Sequence, residues 1–160
     1  MEKTNVMRIL EQHGISYTPH SYPHGKEAVD GATVARMLGQ DPECVYKTLV
    51  ARGKSGSYFV FDIPVEAELD LKKAARAVGE KAIELVHVKE LLGLTGYVRG
   101  GCSPVGMKKQ FKTVFDASCL TQPAILVSAG RIGTQIEAAP ADLLAATRGT
   151  AAAITAEAGA

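Results

Sequence analysis

Two β-rich segments joined by a short polar turn constrain the fold of this chain more than any other feature. Residues 45–51 and 58–63 are rich in β-branched and aromatic residues, and the sequence Arg-Gly-Lys-Ser-Gly at 52–56 separates them. Glycine-containing connections of this length are typical of β-hairpins. Antiparallel pairing of neighbouring strands argues against a doubly wound sheet, in which strands and helices alternate strictly.

Further short strands and several short helices are predicted along the rest of the chain. Apolar residues at helical spacing predict helices at 6–13, 34–38, 71–78 and 88–92, and Pro140 is expected to open a last helix. Additional strands are expected at 15–20, 83–88, 113–116, 124–128 and 135–138. The pattern therefore predicts an α+β fold, a mixed and barrel-like β-sheet surrounded by helices.

Length and charge limit the classes of function. The 160 residues suit one domain, 1–160, and the alanine-rich tail at 147–160 is expected to fray at its end. A net charge of +1 argues against binding nucleic acid by bulk electrostatics alone. Because the sequence has neither an apolar signal core nor an apolar run of about 20 residues, we expect a cytoplasmic protein with no membrane or DNA partner.

Cysteine and histidine spacing gives little support for metal or thiol chemistry. Cys44, Cys102 and Cys119 form no C-x-x-C pair, and His20 and His24 have no recognisable third ligand. Phosphate-loop and zinc-protease spacings are also missing, so no metal and no cofactor is expected. A catalytic thiol needs an adjacent base, and nothing in the sequence places one beside Cys102.

A glycine-rich loop follows the helix predicted at 88–92. It reads Thr-Gly-Tyr-Val-Arg-Gly-Gly-Cys-Ser-Pro-Val-Gly from residue 95 to residue 106. Glycine lets a backbone approach a ligand closely and adopt positive φ. The loop is therefore either a structural turn or a segment that points backbone N–H groups at an anion or a carbonyl oxygen.

Lys47 interrupts an otherwise apolar predicted strand. A buried ammonium is costly unless it is paired or faces a polar cleft. Lys47 therefore either extends to solvent from an edge strand or binds a phosphate or ester oxygen. A second basic group, Lys108, Lys109 and Lys112, is either solvated surface or a contact for RNA phosphates.

Four motifs in one order resemble the YbaK/prolyl-tRNA synthetase-associated domain family, and its free-standing members above all. They are Val45-Tyr46-Lys47-Thr48-Leu49, Leu69-Asp70-Leu71-Lys72-Lys73, the glycine-rich loop, and the segment at 128–137 that begins Ser-Ala-Gly and contains Gly, Ile and Glu. The resemblance covers residues 4–147. It implies a barrel-like mixed α+β fold and hydrolysis of mischarged aminoacyl-tRNA in trans.

The same resemblance implies roles for particular residues. Catalytic roles fall on Lys47, Gly100 and Gly101, and substrate-binding roles on Tyr22, Ser128, Gln135 and Ser103. A family aspartate is replaced here by Gln135, which can form hydrogen bonds but cannot act as a base.

The resemblance implies that the substrate is Cys-tRNA(Pro), with Cys-tRNA(Cys) as a second candidate, and that the substrate thiol attacks its own ester. The implied partners are aminoacyl-tRNA and prolyl-tRNA synthetase, in a transient ternary complex. Three alternatives stay open. The first is a deacylase for alanyl or seryl esters that uses water, and the second is a non-catalytic module that binds tRNA ends or a synthetase. The third is a hydrolase that uses the Cys102 thiol as its nucleophile.

Overall fold

The computed structural model describes residues 2–25 and 27–157. The strands are β1 Thr18–Ser21, β2 Tyr46–Gly53, β3 Tyr58–Pro64, β4 Ile83–Leu85, β5 Lys112–Asp116, β6 Ile125–Arg131, β7 Thr134–Ala138 and β8 Thr150–Ala152. The helices are α1 Asn5–Gln12, α2 Gly31–Met37, α3 Leu71–Val78, α4 Val88–Thr95 and α5 Pro140–Thr147. Within these residues, no helix has the length and apolar content needed to cross a bilayer.

The strands form two sheets. The larger sheet has the order β4-β2-β3-β5-β8, in which β2 is antiparallel to both neighbours while β5 is parallel to β3 and β8. The smaller, antiparallel sheet has the order β1-β7-β6. This confirms the mixed α+β prediction. A parallel bridge between Val45 and Leu126 links the two sheets, and a barrel-like closure stays a prediction.

The predicted hairpin is confirmed. Strands β2 and β3 pair in one register from Tyr46 opposite Pro64 to Arg52 opposite Tyr58. The Gly53 N–H donates to the Ser57 carbonyl at 2.8 Å and closes the turn. The length of the polar turn and the apolar runs on either side of it together set the register of the hairpin, because the turn length fixes which residues lie opposite each other.

Helix ends form where the sequence indicates capping groups. The Thr4 hydroxyl accepts a hydrogen bond from the Met7 N–H at the start of α1. The Asp70 carboxylate accepts from the Lys73 N–H at the start of α3, and Gly79 ends that helix at φ +73°. These groups satisfy N–H donors that a helix cannot pair internally, and glycine adopts the left-handed C-terminal conformation without strain.

Strand β1 begins later than the predicted 15–20. Gly14 has φ +69°, and the Ile15 N–H donates to the Leu10 carbonyl at 2.9 Å. This pattern ends α1. It also engages the Ile15 N–H, which is therefore not free to pair with a neighbouring strand. Ile15 and Tyr17 pack against the apolar core beneath the smaller sheet.

The alanine-rich tail contains a strand that the sequence did not predict. Strand β8 extends the larger sheet, and Ile154 is fully buried in the core that α3 covers. The Ile154 N–H donates to the Asp116 carboxylate at 3.0 Å, and the Ile154 carbonyl accepts from the Asp70 N–H at 2.8 Å. Small alanines gave no strand signal, so this docking depends on one apolar side chain and its backbone bonds. The predicted fraying at residues 158–160 lies outside the described residues.

Candidate active site

One cleft of about 1050 Å³ brings together residues from distant parts of the chain. Five of the seven predicted site residues line it: Tyr22, Lys47, Gly100, Ser128 and Gln135. Residues 27–32 before and within α2 form another part of its wall. A smaller cavity of about 310 Å³ near the hairpin turn contains none of the predicted residues.

The smaller sheet positions the polar side of the cleft. Gln135 on β7 lies opposite His20 on β1 and opposite Ser128 on β6, and Tyr22 directly follows β1. Cross-strand pairing therefore places these residues on adjacent positions. The Gln40 side-chain amide donates to the Gln135 carbonyl oxygen at 3.0 Å. An amide oxygen has a second lone pair, so both this oxygen and the NH₂ group of Gln135 can still bond to a ligand.

Lys47 supplies a positive charge to the cleft. Its side chain is half-buried, and burial lowers the pKa of its ammonium, while the charge of Glu68 opposes that shift. Among the described residues, Glu11 lies beside Lys3 and Glu137 lies beside His20, and no carboxylate lies within ion-pair distance of Lys47. A partly desolvated and unpaired ammonium is suited to bind an anionic or carbonyl oxygen of a ligand.

The two adjacent glycines of the loop have different structural roles. Gly100 has φ +85°, and a Cβ there would lie 2.6 Å from the Cβ of Ala28. A Cβ on Gly101 would lie 2.9 Å from backbone atoms of Arg131. The Gly101 N–H donates to the Val98 carbonyl at 3.0 Å, whereas the Gly100 N–H has no backbone partner among residues 2–25 and 27–157. Of the two predicted backbone donors, Gly101 is therefore engaged within the loop and permits its close packing, while the Gly100 N–H stays without a backbone partner among the described residues.

The two predicted serines lie in different environments. Ser128 lines the cleft, and its hydroxyl accepts a hydrogen bond from the Gly130 N–H at 3.2 Å. Ser103 is fully buried and is not part of the cleft wall. Its hydroxyl accepts from the Val105 N–H at 3.2 Å. The structure therefore places Ser103 behind the loop, where it stabilises the turn rather than facing the cleft.

Cys102 lines the cleft, but its environment does not activate the thiol. The residue is 8% exposed. Burial raises the pKa of the Cys102 thiol to about 12, and the nearby Asp62 carboxyl acts in the same direction. Because the thiolate is the nucleophile, a thiol held protonated is a poor one. This environment disfavours the alternative in which Cys102 is the nucleophile.

Sequence reasoning missed Asp62, a fully buried carboxyl on β3 directly behind the cleft. Its Oδ1 accepts a hydrogen bond from the Thr48 hydroxyl at 2.5 Å, and its Oδ2 has no partner among the described residues. Burial raises the pKa of Asp62 to about 8. The available signal was an acidic residue inside an apolar strand, the same kind of signal that drew attention to Lys47.

Comparisons with known proteins agree with this architecture. An aminoacyl-tRNA editing domain family matches residues 26–146. A protein of Enterococcus faecalis named "Putative Cys-tRNA(Pro)/Cys-tRNA(Cys) deacylase EbsC" is 45% identical over 154 residues, which cover 96% of this chain and 94% of that protein.

Two solved structures have the same fold. One, described as "a putative trans-editing enzyme for prolyl tRNA synthetase", superposes with a TM-score of 0.82 at 25% identity, covering 98% of this chain and 100% of that one. The other, described as hypothetical protein APE2540, gives a TM-score of 0.84 at 23% identity over 94% of this chain and 99% of that one. The second likeness supports the fold alone. With the match over residues 26–146 and the 45% identical relative, the chain belongs to the aminoacyl-tRNA editing domain family.

Proposed function

We propose that this protein is a deacylase that removes cysteine from Cys-tRNA(Pro) in trans, with Cys-tRNA(Cys) as a second substrate. The observation that carries the proposal is the cleft itself, in which an unpaired Lys47, the Gly100 backbone and three polar side chains face one space. The E. faecalis relative, whose name includes these two substrates, supports the amino-acid and tRNA assignment. A second hydrolytic site is useful here because a synthetase pocket cannot strongly reject an amino acid of similar size.

The proposed reaction uses the substrate's own thiol as the nucleophile. The thiol loses its proton, and its sulfur attacks the ester carbonyl carbon of the same cysteinyl group. A C–S bond forms, the C–O bond to the terminal ribose breaks, and the ribose oxygen leaves with a proton. The products are free tRNA and a cyclic thiolactone, which water then opens.

The protein residues position and stabilise rather than attack. The Lys47 ammonium would hold the phosphate of the terminal nucleotide or the ester oxygen, and the Gly100 N–H would stabilise the negative charge that develops on the carbonyl oxygen. Tyr22, Ser128 and the NH₂ group of Gln135 would orient the aminoacyl-ribose. Holding thiol and carbonyl close to their attack geometry supplies much of the rate.

The proposal includes a transient complex with prolyl-tRNA synthetase. A net charge of +1 provides little long-range attraction for RNA, so delivery of the mischarged tRNA by the synthetase would supply the missing affinity. A cytoplasmic site of action follows from the tRNA substrate. Sedimentation of the protein with the synthetase, with and without tRNA, would test this part of the proposal.

A comparison of three esters tests the proposed function directly. The purified protein is mixed with Cys-tRNA(Pro), Ala-tRNA(Pro) and Pro-tRNA(Pro), and loss of each ester is followed under single-turnover conditions. Rapid loss of the cysteinyl ester alone is expected, because only that substrate carries a thiol. Loss of the alanyl ester would require activated water instead, and loss of none would favour a binding module.

Cys102→Ala is expected to leave the deacylation rate of Cys-tRNA(Pro) within about threefold of the unsubstituted protein. The protein thiol takes no part in the proposed reaction and is kept protonated by burial. Rates are compared under single-turnover conditions, with thermal unfolding of both proteins as the check on folding. A folded Cys102→Ala protein without activity would show that the substrate-thiol mechanism is wrong.

A further inference from the structure

Within the described residues, the edge of β2 is unpaired at Thr48, which lines the cleft between the bridge of Val45 to Leu126 and the pairing with β4. Strand β4 covers β2 only from Ala51 to Gly53. One residue earlier, the Val50 carbonyl still accepts from the Val86 N–H at 3.0 Å. The next position in this register would place Val88 opposite Thr48, but Val88 begins α4. Within the described residues, no strand therefore pairs with the Thr48 edge.

The hydrogen-bonding direction of Thr48 follows from the β2–β3 register. The Val65 N–H donates to the Val45 carbonyl at one end, and the Gly53 N–H donates to the Ser57 carbonyl at the other. Pairs in an antiparallel ladder alternate between bonded and non-bonded. The odd-numbered residues of β2 therefore bond to β3, and the N–H and C=O groups of Thr48 point to the unpaired edge. The cleft wall includes Thr48 and both of its neighbours.

We infer that the backbone of Thr48 binds the aminoacyl group of the substrate in the way that it would bind a residue of a neighbouring antiparallel strand. The Thr48 N–H donates to the ester carbonyl oxygen, and the Thr48 carbonyl accepts from the α-ammonium group. This inference rests on the proposed function. It adds a residue that binds the α-ammonium and carbonyl groups of the substrate independently of the substrate's side chain.

The aminoacyl group has the polar atoms that such an edge requires. In a bonded antiparallel pair, one residue donates its N–H to its partner's carbonyl and accepts from its partner's N–H. An α-amino group and an ester carbonyl on either side of one Cα reproduce that arrangement. The Thr48 N–H then serves as a second donor to the oxyanion besides Gly100.

The Thr48 side chain does not take part in the proposed binding. Its hydroxyl donates to the buried Asp62 carboxyl at 2.5 Å, which fixes the residue on the strand. Because the hydroxyl is bonded to Asp62, it is not directed at the unpaired edge of β2. The groups of Thr48 that remain for a ligand are therefore its main-chain N–H and C=O.

A pair of unreactive analogues tests the inference on the intact protein. One is adenosine with cysteine joined to the 3′ position through an amide, and the other is its 3-mercaptopropionyl counterpart, which lacks only the α-amino group. We expect the second analogue to bind about 10- to 100-fold more weakly by calorimetry, because a charge-assisted hydrogen bond is lost. Equal affinities, or no binding of either analogue, would overturn the inference.

The outcome can be separated from that of the proposed function. If Cys-tRNA(Pro) is deacylated while both analogues bind equally, the function stands and the reading of the α-amino group is wrong. If Cys-tRNA(Pro) is not deacylated at all, the proposed function itself has failed.

A second test removes only the backbone donor. Thr48→Pro deletes the N–H that faces the cleft, and β3 loses no hydrogen bond, since proline is accepted where the N–H does not join the ladder. Thr48→Val is the matched control, because it loses the hydroxyl but keeps the N–H. We expect Thr48→Pro to deacylate Cys-tRNA(Pro) about 10- to 100-fold more slowly than Thr48→Val. Equal rates in two folded variants would contradict the inference, and if Thr48→Pro does not fold, the analogue pair decides.

Discussion

Lys47→Met is expected to slow deacylation of Cys-tRNA(Pro) by about 100-fold or more. Removing one preorganised charge or donor at a reacting group commonly costs this much. Methionine keeps the unbranched apolar stem of lysine and lacks only the terminal ammonium, so most of the packing of the half-buried side chain is retained. The measurement is the single-turnover rate of ester loss.

Stability provides the check on this result. Burial lowers the pKa of Lys47, which means that the folded protein disfavours its charge. Lys47→Met should therefore unfold at the same temperature as the unsubstituted protein or at a higher one. Lys54→Ala, an exposed lysine at the hairpin turn and outside the cleft, is the control and should keep full activity. A folded Lys47→Met protein with full activity would remove Lys47 from the mechanism.

Asp62→Asn is expected to change how the free energy of unfolding depends on pH. The pKa of Asp62 is about 8 in the folded protein, far above the value of an unfolded aspartate, because the carboxyl is fully buried. Between these two pKa values the folded state holds a proton that the unfolded state has lost. The unsubstituted protein therefore loses stability as pH rises from about 4 to about 8, by up to about 1.4 kcal/mol per pH unit from this group.

Asparagine keeps the shape of the side chain but stays neutral at every pH. The unfolding free energy of Asp62→Asn minus that of the unsubstituted protein should therefore increase through this window and become constant above pH 8. Denaturant unfolding at several pH values measures the difference. Glu66→Gln, which removes one exposed carboxylate, corrects for the change in net charge. A difference that does not vary with pH would mean that Asp62 is not buried in its neutral form.

Local features of the sequence predicted most of the elements but not all of their limits. The hairpin and the helix at 71–78 were predicted correctly because each depends on a few neighbouring residues. Strand β8 was missed, since three residues of small side chains become a strand only when β5 offers an edge. Local propensity is a weak guide wherever pairing with a distant strand supplies the hydrogen bonds.

The candidate site divides in a similar way. The resemblance indicated seven candidate site residues, and five of them line one cleft. Ser103 shows the limit of a motif, because a residue adjacent to the site in sequence is turned into the interior by its own loop. Asp62 shows the opposite limit, since its importance depends on the β2–β3 register that places it opposite Thr48.

The sequence by itself determined the α+β class, the hairpin and the family, because these depend on neighbouring residues or on motifs in a fixed order. Only the tertiary structure decided which groups meet in the cleft. Whether a carboxyl is neutral, whether a lysine is unpaired and whether a strand edge is bare all depend on desolvation and on hydrogen bonds to residues far away in the chain. Those properties have no local signal, and they are the ones on which the proposed chemistry depends.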